Sequence, residues 1–318
     1  SRLLLNHYLD LDDFAQHRFW PHAELLTAPE RPLEEAAQSV ARQLAGFAAA
    51  AGRYRSVIAQ TAGLDSRLVL AGFRNGETPV RAMTMRSGAV GFDIEIPPRL
   101  CALASIKHQL IQVIRASPAE IARWERMVGH AAHTVNRTIH PSLREVDADI
   151  IVTGIFGECG RGRLYSHDWQ RVDTRPAETE SIMARLKQPR DEEVFREIGS
   201  WLAPIMHLPR STVLDLAFNE LYMGTWATGM LPVQNALHLQ LMPFAQWAIQ
   251  ETFLKTRVED RATKRLLLRV GEILWPEGMR VPINRFGDWR DHLGPLWKLA
   301  NRGNLATVRR FLRAKRAG

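Results

Sequence analysis

The sequence predicts an α/β fold: a parallel, doubly wound sheet covered by helices on both faces, followed by a helix-rich C-terminal half. Three observations predict it. Short apolar runs alternate with helical patterns between residues 56 and 155, two of those runs end in turns rich in small residues, and past residue 178 the pattern becomes helical. Parallel strands need a crossover of a dozen or more residues, usually a helix, and the spacing here supplies one between each pair of runs.

Taken in order, residues 56–60 form the first strand, which ends in a turn at Thr61-Ala-Gly63 before a helix over 65–73. Val80 to Met85 is the second strand, with a helix from about Phe92 to Ser105. Residues 108–114 make a third strand, 119–135 a helix, and 149–153 a fourth strand. Beyond 178, prolines at 189, 204, 209, 232, 243, 276 and 282 divide the helices. No internal repeat or low-complexity linker interrupts the chain. The expected organisation is a leading segment over 1–50, an α/β core over 51–175 and a helical half over 176–318.

Composition narrows the function classes. At 318 residues, 46% hydrophobic and 24% charged, the chain has the make-up of a globular protein and not of a disordered or collagen-like one. The formal charge is +8, and residues 298–318 carry seven basic and no acidic side chains, so nearly all the surplus is terminal. A nucleic-acid binder carries its basic stripe on the folded body, so nucleic acid is not the expected partner. Two cysteines, Cys101 and Cys159, cannot build a disulfide framework. That favours a reducing, cytoplasmic setting. No apolar run approaches the roughly 18–20 residues of a membrane-spanning helix, so no membrane is expected. The chain opens on Ser1 and not Met, which points to a longer protein.

Two constellations carry chemistry. Gln60-Thr-Ala-Gly-Leu-Asp-Ser66 lies where a buried strand turns into a helix. Small residues there let a phosphate approach backbone N–H groups at the helix N-terminus, and the Thr61 and Ser66 hydroxyls can donate to phosphate oxygens. Asp65 would repel phosphate unless a divalent cation lay between them, so a phosphate site here implies magnesium. The other reading is that Asp65 and Ser66 only cap the helix. The second constellation, residues 149–162, is a buried strand running into a glycine-rich turn that contains Glu158, Arg161 and Arg163. If both strands are central in one parallel sheet, the two turns meet beyond their carboxyl ends, Glu158 becomes a second carboxylate facing the cation, and Arg161 or Arg163 becomes a candidate for polyphosphate charge. An exposed glycine turn is the alternative.

These residues resemble a known family. Thr61-Ala-Gly-Leu-Asp-Ser66 is similar to the Ser-Gly-Gly-x-Asp-Ser pyrophosphate loop (PP-loop) of the asparagine synthetase family, the N-type ATP pyrophosphatases. Thr153-Gly-Ile-Phe-Gly-Glu158, with Gly162 beyond it, resembles that family's second metal motif. Gly91-Phe-Asp93 resembles its Asp-led helix after strand two, Pro243-Phe244 its Pro-Phe pair, and Lys264-Arg-Leu-Leu-Leu-Arg269 with Leu274-Trp-Pro-Glu277 its Lys-x-x-Leu-x-Arg segment. The matches run in family order from about residue 56 to 290. Residues 6–21 resemble the connector that follows a glutaminase-like domain, and no N-terminal Cys nucleophile is present in this chain.

The resemblance implies a sheet of the ATP-pyrophosphatase (HUP-like) type and an asparagine-synthase-like, AMP-forming carbon–nitrogen ligase. Its substrates would be ATP, a small-molecule carboxylate and an amine or ammonia, with a glutaminase domain or subunit outside this chain as the implied nitrogen source. ATP and Mg2+ are the implied cofactors. Thr61, Ala62, Gly63, Leu64, Asp65, Ser66, Met85 and Gly154 would bind the nucleotide, Asp65 and Glu158 the metal, and Lys264 and Arg285 would serve the chemistry. The alternatives are a degenerate nucleotide-binding relative without catalysis and an RNA-modifying ATP pyrophosphatase.

Four features depart from the family pattern. Ala62 replaces a glycine, and a Cβ costs about 1–2 kcal/mol if that position needs positive φ. Glu158 and Cys159 stand where Asp and Glu are usual, and the family's Arg-x-Lys reads Arg280-Val-Pro-Ile-Asn-Arg285 without a placeable lysine. Among other residues, His130, His133 and His140 lack the ligands that would complete a zinc site, and sulfur transfer through Cys159 would need a second cysteine in reach. Tryptophans 201, 226, 247 and 275 are expected in the core.

Overall fold

The computed structural model describes residues 3–74, 76, 80–86, 91–129 and 134–293. The basic tail over 298–318, His130 and His133 lie outside the described residues. The described residues form seven strands: β1 (His7–Leu9), β2 (Gln16–Arg18), β3 (Ser56–Ala59), β4 (Arg81–Met85), β5 (Lys107–Ile111), β6 (Ile150–Val152) and β7 (Leu239–Leu241). β1 and β2 form an antiparallel hairpin, and the other five make one sheet in the order β5-β4-β3-β6-β7. All four of its pairings are parallel. The chain builds outward from β3 to β4 and β5, then returns to the far side of β3 for β6 and β7. The reversal falls between β3 and β6, the position where parallel sheets open a crevice.

Side-chain alternation along the strands divides the core. Ile58, Ala82, Ile150 and Val152 face one side, against helices Leu33–Ala51, Leu64–Phe73 and Arg265–Leu274. Val57, Met83, Ile111 and Ile151 face the other, under Leu143 and Val146. Because both faces are covered there, the central strands β3 and β6 read as nearly continuous apolar runs. Helix Leu33–Ala51 buries Ala36, Val40, Leu44 and Ala48 along one stripe. Gly72 admits its close approach, since a Cβ there would lie 3.0 Å from the Leu44 carbonyl oxygen.

Several expected elements are shorter than their sequence patterns. The third strand ends at Ile111 because the chain then leaves the sheet, and the Ile114 N–H donates to Ser142 Oγ at 2.8 Å. The helix expected over 119–135 runs Pro118–Val128, set by a Ser117/Glu120 capping box and stopped at Gly129, whose φ is +64°. A separate helix, Thr134–Ile139, follows. The helical half is not purely helical. It supplies β7, a three-residue edge strand registered on Ile150–Val152, too short and too half-exposed for a period-two signal. Trp201 and Trp275 are buried, whereas Trp247 is 57% exposed with its ring against Phe19. His140 is a core group, its ring tilted against Trp124 and its Nδ1 3.1 Å from the Arg137 carbonyl oxygen. Among the described residues no helix is long and apolar enough to cross a membrane.

Candidate functional site

β3 leaves the sheet at Ala59, and the Gln60 N–H donates to the Met83 carbonyl at 2.7 Å, holding the exit against β4. The helix Leu64–Phe73 starts on Gly63, extended at φ −69°, ψ 167°, with no side-chain cap. Asp65 and Ser66 therefore sit inside the first turn, and neither caps it. Ser66 Oγ instead braces the loop, accepting from the Thr61 N–H at 3.2 Å and lying 3.0 Å from Thr61 Oγ1. The Gly63 N–H donates to Thr61 Oγ1 at 3.1 Å, and the Ala62 N–H to Asp93 Oδ1 at 2.9 Å. All three loop amides thus have internal acceptors. Ala62 is not among the positive-φ residues and is fully buried, so its Cβ carries no left-handed strain and instead fills core space. Burial pushes the Asp93 carboxyl up, and the Ala62 N–H opposes that shift.

β6 runs into the second turn. Phe156 is left-handed at φ 72°, and a short 3-10 turn, Gly157–Arg161, ends on Gly162 at φ 53°. Two glycines let this turn lie directly on the first turn of the neighbouring helix. A Cβ on Gly154 would stand 2.7 Å from the Ser66 nitrogen, and one on Gly157 would stand 2.8 Å from Asp65 Cγ. The sheet order thereby brings Glu158 and Arg161 to Asp65. Arg161 Nη2 lies 2.6 Å from Asp65 Oδ2 and 3.5 Å from Glu158 Oε1. Burial pushes the Asp65 carboxyl up to about 6, against the opposing pull of Arg161, with Glu158 adding to the rise. Asp65 Oδ1 and Arg161 Nε are buried without a hydrogen-bond partner.

Beyond the carboxyl ends of β3, β4 and β6 lies a cavity of about 350 Å³, whose lining includes Gln60, Thr61, Met83, Met85, Asp93 and Thr153. That volume falls in the range of small-molecule sites. Thr84 forms part of its wall, donating from Oγ1 to the Gln60 carbonyl at 2.8 Å and lying 2.9 Å from His108 Nε2. Gln60 Oε1 and Thr153 Oγ1, both on lining residues, are buried without a partner. Buried polar atoms of this kind call for a water, ion or ligand. A larger hollow of about 600 Å³ lies between helices Thr179–Leu186 and Glu192–Leu202 and contains none of the motif residues.

No protein-family model matches the chain, and comparison with curated proteins finds no match. The functional reading therefore rests on this geometry.

The structure separates the expected site residues into groups. Thr61 and Met85 line the cavity, while Ala62, Leu64 and Ser66 are packed behind the loop. Asp65 and Glu158 meet each other around Arg161, and neither is part of the cavity wall. Lys264 is exposed and left-handed at φ 65°, immediately before helix Arg265–Leu274, and its charge is among those that lower the Asp65 pKa. Arg285 is exposed beside Asn284, whose N–H donates to the Ala62 carbonyl at 3.1 Å.

A fitting nucleotide and a fitting metal are different questions here. Volume, position and the two orphaned oxygens suit a nucleotide. A resident divalent cation needs several oxygen ligands at about 2.1 Å in near-octahedral array. The Arg161 guanidinium already holds Asp65 Oδ2, so the carboxylate pair as arranged does not fit one.

One residue absent from the expected set organises the site. Arg67 is fully buried and donates to the carbonyls of Gly278 at 3.0 Å, Val281 at 2.5 Å, Pro282 at 2.7 Å and Ala62 at 3.4 Å. Burial lowers its pKa to about 10. The available signal was an arginine directly before the apolar run 68–73 of the same helix, a charge that burial obliges to find partners. Cys159 is buried, which pushes its thiol well up, and burial pushes Cys101 up to about 12. Neither is an activated thiol, so sulfur transfer gains no support.

Proposed function

We propose that this chain is an ATP-dependent, AMP-forming carbon–nitrogen ligase that activates a small-molecule carboxylate and joins it to ammonia or an amine. The supporting observation is the cavity at the sheet reversal, walled by the strand β4 segment ending at Met85 and presenting the unpartnered Gln60 Oε1 and Thr153 Oγ1. When bound, ATP would supply the adenylyl group that activates the carboxylate, with pyrophosphate as the leaving group, and AMP would leave as the amine forms the amide.

The chain's own residues would bind, orient and neutralise. The Thr61–Gly63 amides lie at the N-terminus of helix Leu64–Phe73, where partial positive charge favours a phosphate chain. Arg161 and Lys264 act on Asp65 in the first turn after the loop, and Arg285 follows Asn284, which bonds the loop; these cations would offset charge that builds on departing pyrophosphate. Magnesium in this scheme enters with the nucleotide's own phosphates. Arg285 cannot shed a proton at working pH, so its part is electrostatic.

One observation favours a second reading, nucleotide binding without turnover: the loop amides are already satisfied by Ser66, Thr61 and Asp93. Calorimetric titration of ATP into the wild type and Met85→Trp, followed by assay of AMP release with a panel of carboxylic acids and ammonia, separates the readings. ATP binding that Met85→Trp weakens at least tenfold, with acid-dependent AMP release, is expected. Binding without AMP release leaves the non-catalytic reading, and no ATP binding overturns both.

A further inference from the structure

The carboxylate pair and its arginine carry an inference that rests on the nucleotide reading and deepens it. A single guanidinium nitrogen, Arg161 Nη2, lies 2.6 Å from Asp65 and 3.5 Å from Glu158. The Arg161 and Asp65 side chains are only 16% and 17% exposed, so the contact is largely screened from solvent. It is also built into the backbone. Gly154 and Gly157 admit the second turn only because they lack a Cβ, and Arg161 stands at the end of the 3-10 turn that follows. The charge-assisted contact is short, as expected for an ionised pair.

We propose that Arg161 takes the place of a resident divalent cation: it neutralises Asp65 and Glu158 from within the protein, and the loop pair receives the polyphosphate of a nucleotide without a metal held by those carboxylates. A guanidinium suits this role, since it is always charged and presents several donors in a planar fork. Nε, buried and unpartnered, and Asp65 Oδ1, buried and unpartnered, mark the spare hydrogen-bonding capacity of the pair.

The two arrangements predict opposite signs for the same substitution. If a metal bridged Asp65 to phosphate, removing the carboxylate charge would weaken ATP. If Arg161 fills that place, Asp65→Asn removes a repulsive charge and frees the guanidinium, so ATP binds as well or better. The test is calorimetric titration of ATP, in EDTA and in excess magnesium, into the wild type, Asp65→Asn and Arg161→Ala, with thermal melts as a folding check. Mn2+ binding to the nucleotide-free proteins is followed in parallel by electron paramagnetic resonance.

The expected results are wild-type affinity in EDTA within about threefold of that in magnesium, Asp65→Asn equal or tighter, and Arg161→Ala at least tenfold weaker in EDTA. Arg161→Ala should also gain one Mn2+ site that the wild type lacks. ATP binding that requires magnesium and is lost in Asp65→Asn would overturn the proposal, as would a wild-type Mn2+ site abolished by Asp65→Asn. Should Arg161→Ala fail to fold, the EDTA comparison and the Asp65→Asn sign still decide it. The Mn2+ measurement uses no nucleotide, so a protein that binds no ATP loses the ligase reading while the wild-type Mn2+ result still judges the arginine.

Discussion

Arg67 Nη2 donates to the carbonyl oxygen of Pro282 at 2.7 Å, joining two residues that are 215 positions apart in the chain. Through Gly278, Val281 and Ala62 the same side chain ties the loop after β3 to the segment that carries Asn284 and Arg285. It is a fastener behind the site and is not itself one of the residues lining the cavity. Replacing it with methionine keeps much of the volume and strands these carbonyls. Arg67→Met should cost about 3 kcal/mol by urea denaturation, the range for leaving buried polar groups unpaired. Hydrogen exchange should quicken selectively over residues 278–286.

Gly154 is held by space. A methyl group there would stand 2.7 Å from the Ser66 backbone nitrogen and 2.8 Å from the Asp65 carbonyl carbon. Both are backbone atoms that cannot turn aside. Gly154→Ala should destabilise the fold by about 1–3 kcal/mol, the usual scale of overpacking. A mutant as stable as the wild type in urea would mean that the two turns do not lie as close as described.

Asp65 ties stability to pH. Its folded pKa, about 6, lies above the ordinary value of 3.8, with burial as the first cause. Between those values the folded state holds a proton that the unfolded state has released. Stability from this group is therefore fully present below pH 4 and is lost as pH rises through 6. Asp65→Asn lacks the titration, so its stability relative to wild type should increase between pH 5 and 7 by about 1 kcal/mol. Paired thermal melts at pH 5, 6 and 7 check the sign; a mutant whose stability relative to wild type falls as pH rises contradicts the assignment.

Lys264 occupies a left-handed conformation, φ 65°, that a glycine adopts without strain. Lys264→Gly should leave stability unchanged or raise it by up to about 1 kcal/mol. If the ammonium serves the adenylation step, the same variant should lose turnover at least tenfold. A stable, fully active Lys264→Gly removes that residue from the chemistry.

Arg285 is exposed at the rim of the loop held by Asn284. Arg285→Ala should lower AMP release by about a hundredfold, the scale for losing one positioned charge stabiliser, while ATP affinity stays within about threefold. Equal activity ends its assignment.

The parallel sheet was legible because β3, β4 and β6 are buried on both faces, and turns of small residues followed β3 and β6. The meeting of Asp65 with Glu158 was legible too, since it follows from two central parallel strands. What joined them was not. Arg161 could be read as a group for polyphosphate charge, but only the backbone path through left-handed Phe156 carries it onto Asp65. Ala62 read as a departure from glycine because spacing says nothing about φ. β7 and the four carbonyl bonds of Arg67 depend on chain segments far apart in sequence, which local periodicity does not report.

The self-bonded state of the Thr61–Gly63 amides has a consequence for selectivity. An anion arriving at this loop does not meet free donors, because it must displace a hydroxyl from Gly63 and the Asp93 carboxylate from Ala62. Capture is then an exchange, and its free energy is the difference between the incoming acceptor and the resident one. A weak monoanion gains almost nothing from such a swap, whereas a chain of several charged oxygens can replace both residents at once. On the nucleotide reading, Asp93 would be a built-in competitor that sets a threshold of charge, and the loop would pass over small anions in favour of polyphosphates.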